Sequence, residues 1–363
     1  MEKLVSDTKI ESLKKFWNGR SVLITGHSGF KGSWLTILLT HLGAKVSGIS
    51  LKPETNPSLF EEARIYDLCE SFICDINNFE KLNKIVKKVN PEIVFHLAAM
   101  PIVRDSYKKP IYTFSTNVVG TGNLLESIRH VDNCKSAVCI TTDKVYENIE
   151  KEYRYKEEDR LGGHDPYSAS KAACELLIQS YRKSFFDDAG IKLVSARAGN
   201  VIGGGDWSTD RLIPDAIKCW NKNKILEIRS PSSIRPWQHV LDSLYGYIEL
   251  ARFTFTKDKH SNSFNFGPNV EGMISVQDVI ELSSKLYGEP ARFRISSKNN
   301  NLHEAKLLSL DNTKSKIELG VVPNWNYENA VRYTIEWYKN FQDKIDAKNL
   351  CLTDINRFFE DLD

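Results

Sequence analysis

Short runs of β-branched and aromatic residues alternate with longer stretches of helical periodicity through the first 200 of the 363 residues. That alternation admits few folds. Parallel strands need a crossover of a dozen or more residues between them, so the pattern predicts an α/β fold of the Rossmann type, a doubly wound parallel sheet flanked by helices. Predicted strands occupy 21–25, 45–50, 71–76, 92–98, 136–142 and 191–197. Predicted helices occupy 31–42, 79–89, 110–130 and 167–186, the last with apolar residues at three- and four-residue spacing. Past residue 200 the rhythm breaks into loops rich in Gly, Pro and Trp, then resumes with SVQDVIELSSKLYG at 275–288 and a final helix near NAVRYTIEWYKNF at 329–341. With no internal repeat and no low-complexity linker, the second half is expected to pack on the first as an elaboration of it.

The first predicted strand runs into ITGHSGFKGSWL, which places Gly26, Gly29 and Gly32 within seven positions. A glycine at the strand end permits a sharp turn, a second lets the backbone approach a pyrophosphate, and a third lets the helix pack close to the sheet. Phosphates are then favoured at the helix N-terminus by free N–H groups and the dipole. Such glycines also occur in purely structural turns. Their position after the first strand of an alternating chain favours dinucleotide binding, and the G-x-x-G-x-x-G spacing differs from the G-x-G-x-x-G form.

A second stretch, DPYSASKAACELL, sets Tyr167 and Lys171 four apart at the start of a helix and so on one face. Tyr and Lys at helical spacing commonly form a solvated face. The catalytic reading is that the Lys171 ammonium lowers the phenol pKa and makes Tyr167 a base for a substrate hydroxyl, with Thr142 at the end of the preceding strand donating to the same hydroxyl. Composition excludes other classes. The net charge of +2 comes from interspersed Lys, Arg, Asp and Glu with no basic block, so no nucleic-acid partner is expected. No stretch approaches the roughly 20 apolar residues needed to cross a bilayer, and the N-terminus lacks a signal-length apolar core, so a cytoplasmic protein without membrane contact is expected. Seven cysteines at irregular spacings, with no C-x-x-C pair, point to neither a disulfide framework nor a metal site.

The motifs TGHSGFKG, HLAA at 96–99, TNVVGT at 116–121, the Tyr167–Lys171 pair and the closing LDNTKSKIELGVVP…TIEWY resemble the extended short-chain dehydrogenase/reductase family over nearly the whole chain. GHSGFKGSWL, TTDKVYEN, GGHDPYSASKAACELL, RAGNVIGGGDWSTDRLIPD and RPWQHVLD are similar, more narrowly, to the CDP-sugar branch of its nucleotide-sugar 4,6-dehydratases. The resemblance implies NAD as cofactor, a nucleotide-diphosphate sugar as substrate with CDP-glucose favoured, and a homo-oligomer. It implies a Rossmann domain over 1–190, to which 191–200 and part of 235–270 return, and a smaller, interleaved nucleotide-sugar domain mainly over 200–363. The implied reaction oxidises C4, eliminates the C6 hydroxyl as water and returns hydrogen to C6.

By that resemblance Gly26, Ser28, Gly29, Phe30, Gly32, Asp75, Ile76, Leu97, Ala98, Ala99 and Thr116 hold the cofactor, together with Tyr167 and Lys171. Asn200, Arg211, Arg235 and His239 contact substrate, Arg235 by the diphosphate. Asp143 is the implied acid at C6 and Lys144 the base at C5, in place of the Asp–Glu pair of the dTDP-glucose enzymes. Lys144 as a ligand anchor stays open, since an amine is a base only when neutral. The acidic residue expected after the second strand is missing, with Ser50 and Lys52 there instead, so this loop also tolerates NADP. A nucleotide-sugar 4-epimerase would share the glycines, Tyr167 and Lys171 but needs no acid at position 143. A binding protein derived from the family would not need the intact Thr142, Tyr167 and Lys171. His96, on a predicted buried strand, is expected to be a core residue.

Overall fold

A computed structural model describes residues 8–257, 262–269, 273–296 and 307–363. The chain opens with α1 (Lys9–Trp17), capped by Thr8, which buries Leu13 and Trp17. It then enters β1 (Ser21–Thr25), α2 (Phe30–His41), β2 (Lys45–Ser50), β3 (Glu70–Ile73), α3 (Phe79–Val89) and β4 (Ile93–His96). The sheet is completed by β5 (Ser136–Ile140), β6 (Lys192–Ala198) and β7 (Ser263–Phe266), in the order β7-β6-β5-β4-β1-β2-β3. Every neighbouring pair runs parallel. Both faces are covered, which is why β4 and β5 are buried at every position and read as continuous apolar runs.

The strand order reverses between β1 and β4. Val22 of β1 pairs with Val46 on one side and with Ile93 on the other. In such sheets the crevice beyond the carboxyl ends at the reversal is where ligands bind, and there the chain places Gly26 and Leu97.

Several elements depart from the sequence expectation. The helix expected over 110–130 is Pro110–Phe114, a wide π turn over Ser115–Val119, then α4 (Gly120–Ile128). Within the wide turn Asn117 accepts from Met100 N and donates to Ser170 Oγ, both at 2.8 Å, tying the loop after β4 to the next helix. That helix, α5 (Pro166–Tyr181), starts at a proline in its first turn, is capped by Asp165 through Ser168 N at 2.9 Å, and ends in a second π turn over Arg182–Phe186. Strand β7 went unanticipated because it forms by pairing with the edge of β6. The helix expected to be last, Tyr327–Gln342, is followed by Ala347–Glu360, which packs on α2. No helix among the described residues is long and apolar enough to cross a membrane.

After β6 the chain forms short ribbons. Val201–Ile202 pairs with Gln238–His239, Ile234–Pro236 with Met273–Ser275, and Leu226–Ile228 with Phe293–Ile295. They face the carboxyl ends of the strands across a cleft.

Candidate active site

The cleft has a volume of about 570 Å³ and brings together the expected site residues, with one exception. One end is the glycine turn. Gly26 has φ +78°, and a Cβ there would lie 2.7 Å from Ala98 N, while a Cβ on Gly32 would lie 2.1 Å from Gly26 O. Only glycine fits at either position. Gly29 caps α2 without a side chain, leaving the first N–H groups of the helix to the cleft beside Phe30. Ser28 donates to Leu51 O at 2.8 Å and steadies the rim. Leu97, Ala98 and Ala99 line the floor, and Ile76 reaches it because Gly120 offers no Cβ, which would otherwise sit 2.6 Å from Ile76 Cδ1. Asp75 accepts from Asn77 N at 2.9 Å, and Asn77 also donates to Thr116 Oγ1 at 3.3 Å. This cradle of small residues and open helix N–H groups fits a dinucleotide.

At the position after β2, Ser50 is buried and pairs with His27 Nδ1 at 3.0 Å, while His27 Nε2 meets Ser71 Oγ at 2.6 Å. Burial lowers His27 to about 4. Lys52 lies on the cleft wall.

The catalytic end is formed where β5 meets α5. Lys171 Nζ donates to Ile140 O at 3.1 Å, and Glu175, one turn further, accepts from Thr141 Oγ1 at 2.5 Å. Tyr167, Lys171 and Glu175 follow at four-residue spacing, so one helix stripe faces the end of one strand. Behind it Arg197 pairs with Glu175 Oε2 at 2.8 Å, both almost fully buried. The expectation that Lys171 lowers the Tyr167 phenol is corrected. Burial dominates and raises the phenol to about 12, with the nearby Thr142 hydroxyl and Arg211 acting to lower it and Asp143 raising it further. Lys171 spends its nearest hydrogen bond on the strand carbonyl, and burial lowers its own pKa.

Asp143 is 1 % exposed, and its two oxygens differ. Oδ1 accepts from Thr142 Oγ1 at 2.9 Å and lies 3.4 Å from Lys144 Nζ, whereas Oδ2 has no hydrogen-bond partner among the described residues. Gly199 leaves it room, since a Cβ there would stand 3.1 Å from Oδ2. A buried carboxylate oxygen without a donor is costly, and one on a cleft wall is where a ligand hydroxyl gains most.

Across the cleft stand Asn200, Arg211 and Arg235. Arg211 Nη1 lies 3.4 Å from Asp206 Oδ2, and Arg235 Nη1 donates to Ile234 O at 3.0 Å. The exception is His239, whose expected substrate contact the structure contradicts. It is fully buried, accepts from Leu241 N at 3.3 Å as the cap of the helix Val240–Thr256, and packs edge-on against Trp34 and Trp325. Burial lowers it to about 3, so the ring is neutral core. His96 is core as expected, bonded to Thr25 at 2.6 Å and Thr121 at 2.8 Å.

These residues invite comparison with known proteins. A family model described as GDP-mannose 4,6 dehydratase matches residues 23–334. The chain belongs to that family. A CDP-glucose 4,6-dehydratase of Salmonella typhimurium is 47 % identical to it over 332 residues, 90 % of this chain and 92 % of the relative. Among solved structures, a UDP-glucuronic acid 4-epimerase of Bacillus cereus with UDP-glucuronic acid and NAD superposes with TM-score 0.75 at 24 % identity, covering 88 % of this chain and 99 % of that one. A dTDP-glucose 4,6-dehydratase of Bacillus anthracis with NAD gives TM-score 0.73 at 22 % identity, covering 89 % and 97 %. Those structures share the extended short-chain dehydrogenase/reductase fold.

Within this dehydratase family member, sequence reasoning missed Lys31. It sits in the first turn of α2, lines the cleft, and donates to Tyr247 OH at 3.1 Å. Burial lowers the amine to about 7, with Arg211 and Lys171 adding to the effect and Asp143 opposing it. The signal was present, since a cation in a helix's first turn opposes the dipole and needs a reason.

Proposed function

We propose that this protein is a CDP-glucose 4,6-dehydratase, converting CDP-D-glucose to CDP-4-keto-6-deoxy-D-glucose and water with NAD. The observation that carries the reading is Asp143 Oδ2, a buried carboxylate oxygen without a partner among the described residues, on the same cleft wall as Tyr167, Thr142 and Lys171. An exchange of hydrogen at C4 alone, as in a 4-epimerase, needs no acid there. The name of the relative at 47 % identity supports the CDP-glucose assignment.

In this reading Tyr167 takes the proton of the C4 hydroxyl, to which Thr142 also donates, and the new ketone acidifies C5–H. Lys144 removes the C5 proton and later returns it, for which it must leave Asp143 as a neutral amine. Asp143 gives its proton to the departing C6 oxygen. NAD, when bound, supplies the acceptor for hydrogen from C4 and the donor that restores it at C6. Gly26, Ser28, Gly29, Phe30 and Gly32 would hold its pyrophosphate, Asp75 and Ile76 its adenosine end, and Leu97, Ala98, Ala99, Thr116 and Lys171 the remainder. Arg235 and Arg211 would clamp the substrate diphosphate with Asn200, which assigns nucleotide-sugar binding mainly to the chain beyond residue 200 and cofactor binding to the chain before 190.

We further place the enzyme in the cytoplasm, which suits seven cysteines without a disulfide pattern. A homo-oligomer is supported by exposed apolar side chains along two packed helical segments, Ile111 at 82 % and Val119 at 56 % on one, Leu176 at 58 % on the other. A panel of CDP-, dTDP-, UDP- and GDP-glucose, read by product mass, tests the substrate. CDP-glucose should lose water fastest. Loss of water only from another nucleotide-glucose would replace the base assignment, and no loss from any would end the dehydratase reading.

A further inference from the structure

Asp210 joins two arginines that come from opposite sides of the cleft. Its Oδ1 accepts from Arg229 Nη2 at 2.9 Å and from Arg104 Nη1 at 3.4 Å. Arg104 belongs to the short helix Val103–Lys108 that follows β4, and Arg229 directly follows the ribbon strand Leu226–Ile228 on the facing side. All three residues line the cleft, with their side chains partly open to solvent. Ion pairs open to water are weak, whereas a guanidinium on a phosphate forms paired, charge-assisted hydrogen bonds. Two guanidiniums that meet at one carboxylate oxygen therefore make an anion site that a phosphate can take over from Asp210.

The place suits a substrate phosphate. Arg211, assigned to the substrate diphosphate in the function proposed above, on which this inference rests, follows Asp210 in the chain, about 3.8 Å away between Cα atoms. Arg211 shares its charge with Asp206 Oδ2 at 3.4 Å, so two negative phosphates gain from a further pair of cations beside it. The cofactor pyrophosphate has its own place at the glycine turn and the first N–H groups of α2. The loop is also built to give way at Asp210. Residues 203–207 are buried, Lys218 Nζ donates to the Trp207 carbonyl, and Tyr338 OH donates to the Asp206 carbonyl, while Thr209 and Asp210 at the tip are exposed.

We infer that Arg104 and Arg229 are substrate-binding residues and that Asp210 is their placeholder. In the substrate-free protein its carboxylate occupies the anion site between the two guanidiniums, and on binding it is exchanged for a phosphate oxygen of the nucleotide-diphosphate sugar. No covalent bond is made or broken. The carboxylate keeps the two cations from repelling one another across the cleft, and it competes with the ligand for them. Removing a cation and removing the placeholder must therefore act in opposite directions.

The test is calorimetric titration of a nucleoside diphosphate, which carries both phosphates without the sugar, into protein saturated with NAD. Wild type is titrated first with CDP, UDP, dTDP and GDP, and the nucleotide bound tightest is the probe thereafter. Binding of none ends the nucleotide-sugar reading and this inference together. Arg104→Gln and Arg229→Gln should each weaken the probe at least about tenfold, the low end for hydrogen bonds to a charged group, while NADH affinity by fluorescence titration stays at the wild-type value. Arg104→Lys and Arg229→Lys keep the charge and lose the fork, so they should lose less, and they carry the comparison if glutamine lowers the melting temperature. Asp210→Asn keeps a side chain that tolerates the left-handed φ of +58° and removes the competing charge, so the probe should bind about two- to tenfold tighter. The inference is overturned, with the nucleotide-sugar reading intact, if Asp210→Asn binds the probe no tighter than wild type. It is equally overturned if the arginine variants bind the probe as wild type does, or if they lose NADH affinity instead.

Discussion

Tyr167 and the Asp143–Lys144 pair divide the chemistry between them, and single substitutions separate their roles. Tyr167→Phe keeps the ring and removes the proton acceptor, so turnover should fall at least about a hundredfold while fold and cofactor binding persist. Near-normal turnover in a folded Tyr167→Phe protein would remove Tyr167 from the mechanism. Lys144 Nζ lies 3.4 Å from Asp143 Oδ1, so substrate must part the two before the amine reaches C5. Lys144→Met removes the nitrogen at similar length. If Lys144 is the C5 base, solvent deuterium should enter C5 more slowly in step with dehydration, as measured by NMR of the product. Weaker substrate binding with an unchanged rate on bound substrate would make Lys144 an anchor. Lys31, a buried amine on the cleft wall whose pKa burial lowers to about 7, would then be the first place to look for the base.

Elements place these residues, and their ends matter more than their lengths. The β1-to-α2 turn works only with glycine, and Gly32→Ala would drive a Cβ to 2.1 Å from Gly26 O. The loss is expected to fall on cofactor affinity, measured by fluorescence titration with NADH, and on thermal stability, as large as the worst core substitutions. The helix Val240–Thr256 carries a different dependence. Asp242 in its first turn accepts from Asn324 N at 2.7 Å and Trp325 N at 3.4 Å, and burial raises its carboxyl from 3.8 to about 7. A raised acid stabilises the fold fully below its unfolded value and loses that contribution as pH rises through the folded one. The melting temperature should therefore contain a component that declines between about pH 4 and about pH 7, and Asp242→Asn should flatten it. An identical pH profile in the variant would contradict the assignment.

For the whole molecule, β1 and β2 were legible to the residue, β1 because its apolar run ends at Gly26 and β2 because Lys52 and Pro53 soon follow it. The glycine turn and the Tyr167–Lys171 spacing likewise followed from local rules. Other features depend on distant partners. The wide turn at Asn117 exists because that side chain reaches Met100 and Ser170, β7 because β6 offers it an edge, and the burial of His239 because two tryptophans from remote segments close over it. The phenol of Tyr167 was misjudged for the same reason, since spacing reveals Lys171 nearby but not how dry the site is. At this scale the exposed apolar ridge predicts assembly. Leu176→Glu should convert the oligomer to monomer in sedimentation velocity, whereas an unchanged sedimentation coefficient would place the interface elsewhere.

The central claim is that oxidation at C4 and loss of water at C6 occur on one sugar in one cleft. CDP-glucose carrying deuterium at C4, converted by the purified protein and examined by NMR, tests it most directly. The deuterium should appear at C6 of the 4-keto-6-deoxy product, within the same molecule and without net release of reduced cofactor. Deuterium kept at C4 of an unchanged or epimerised hexose would contradict the account.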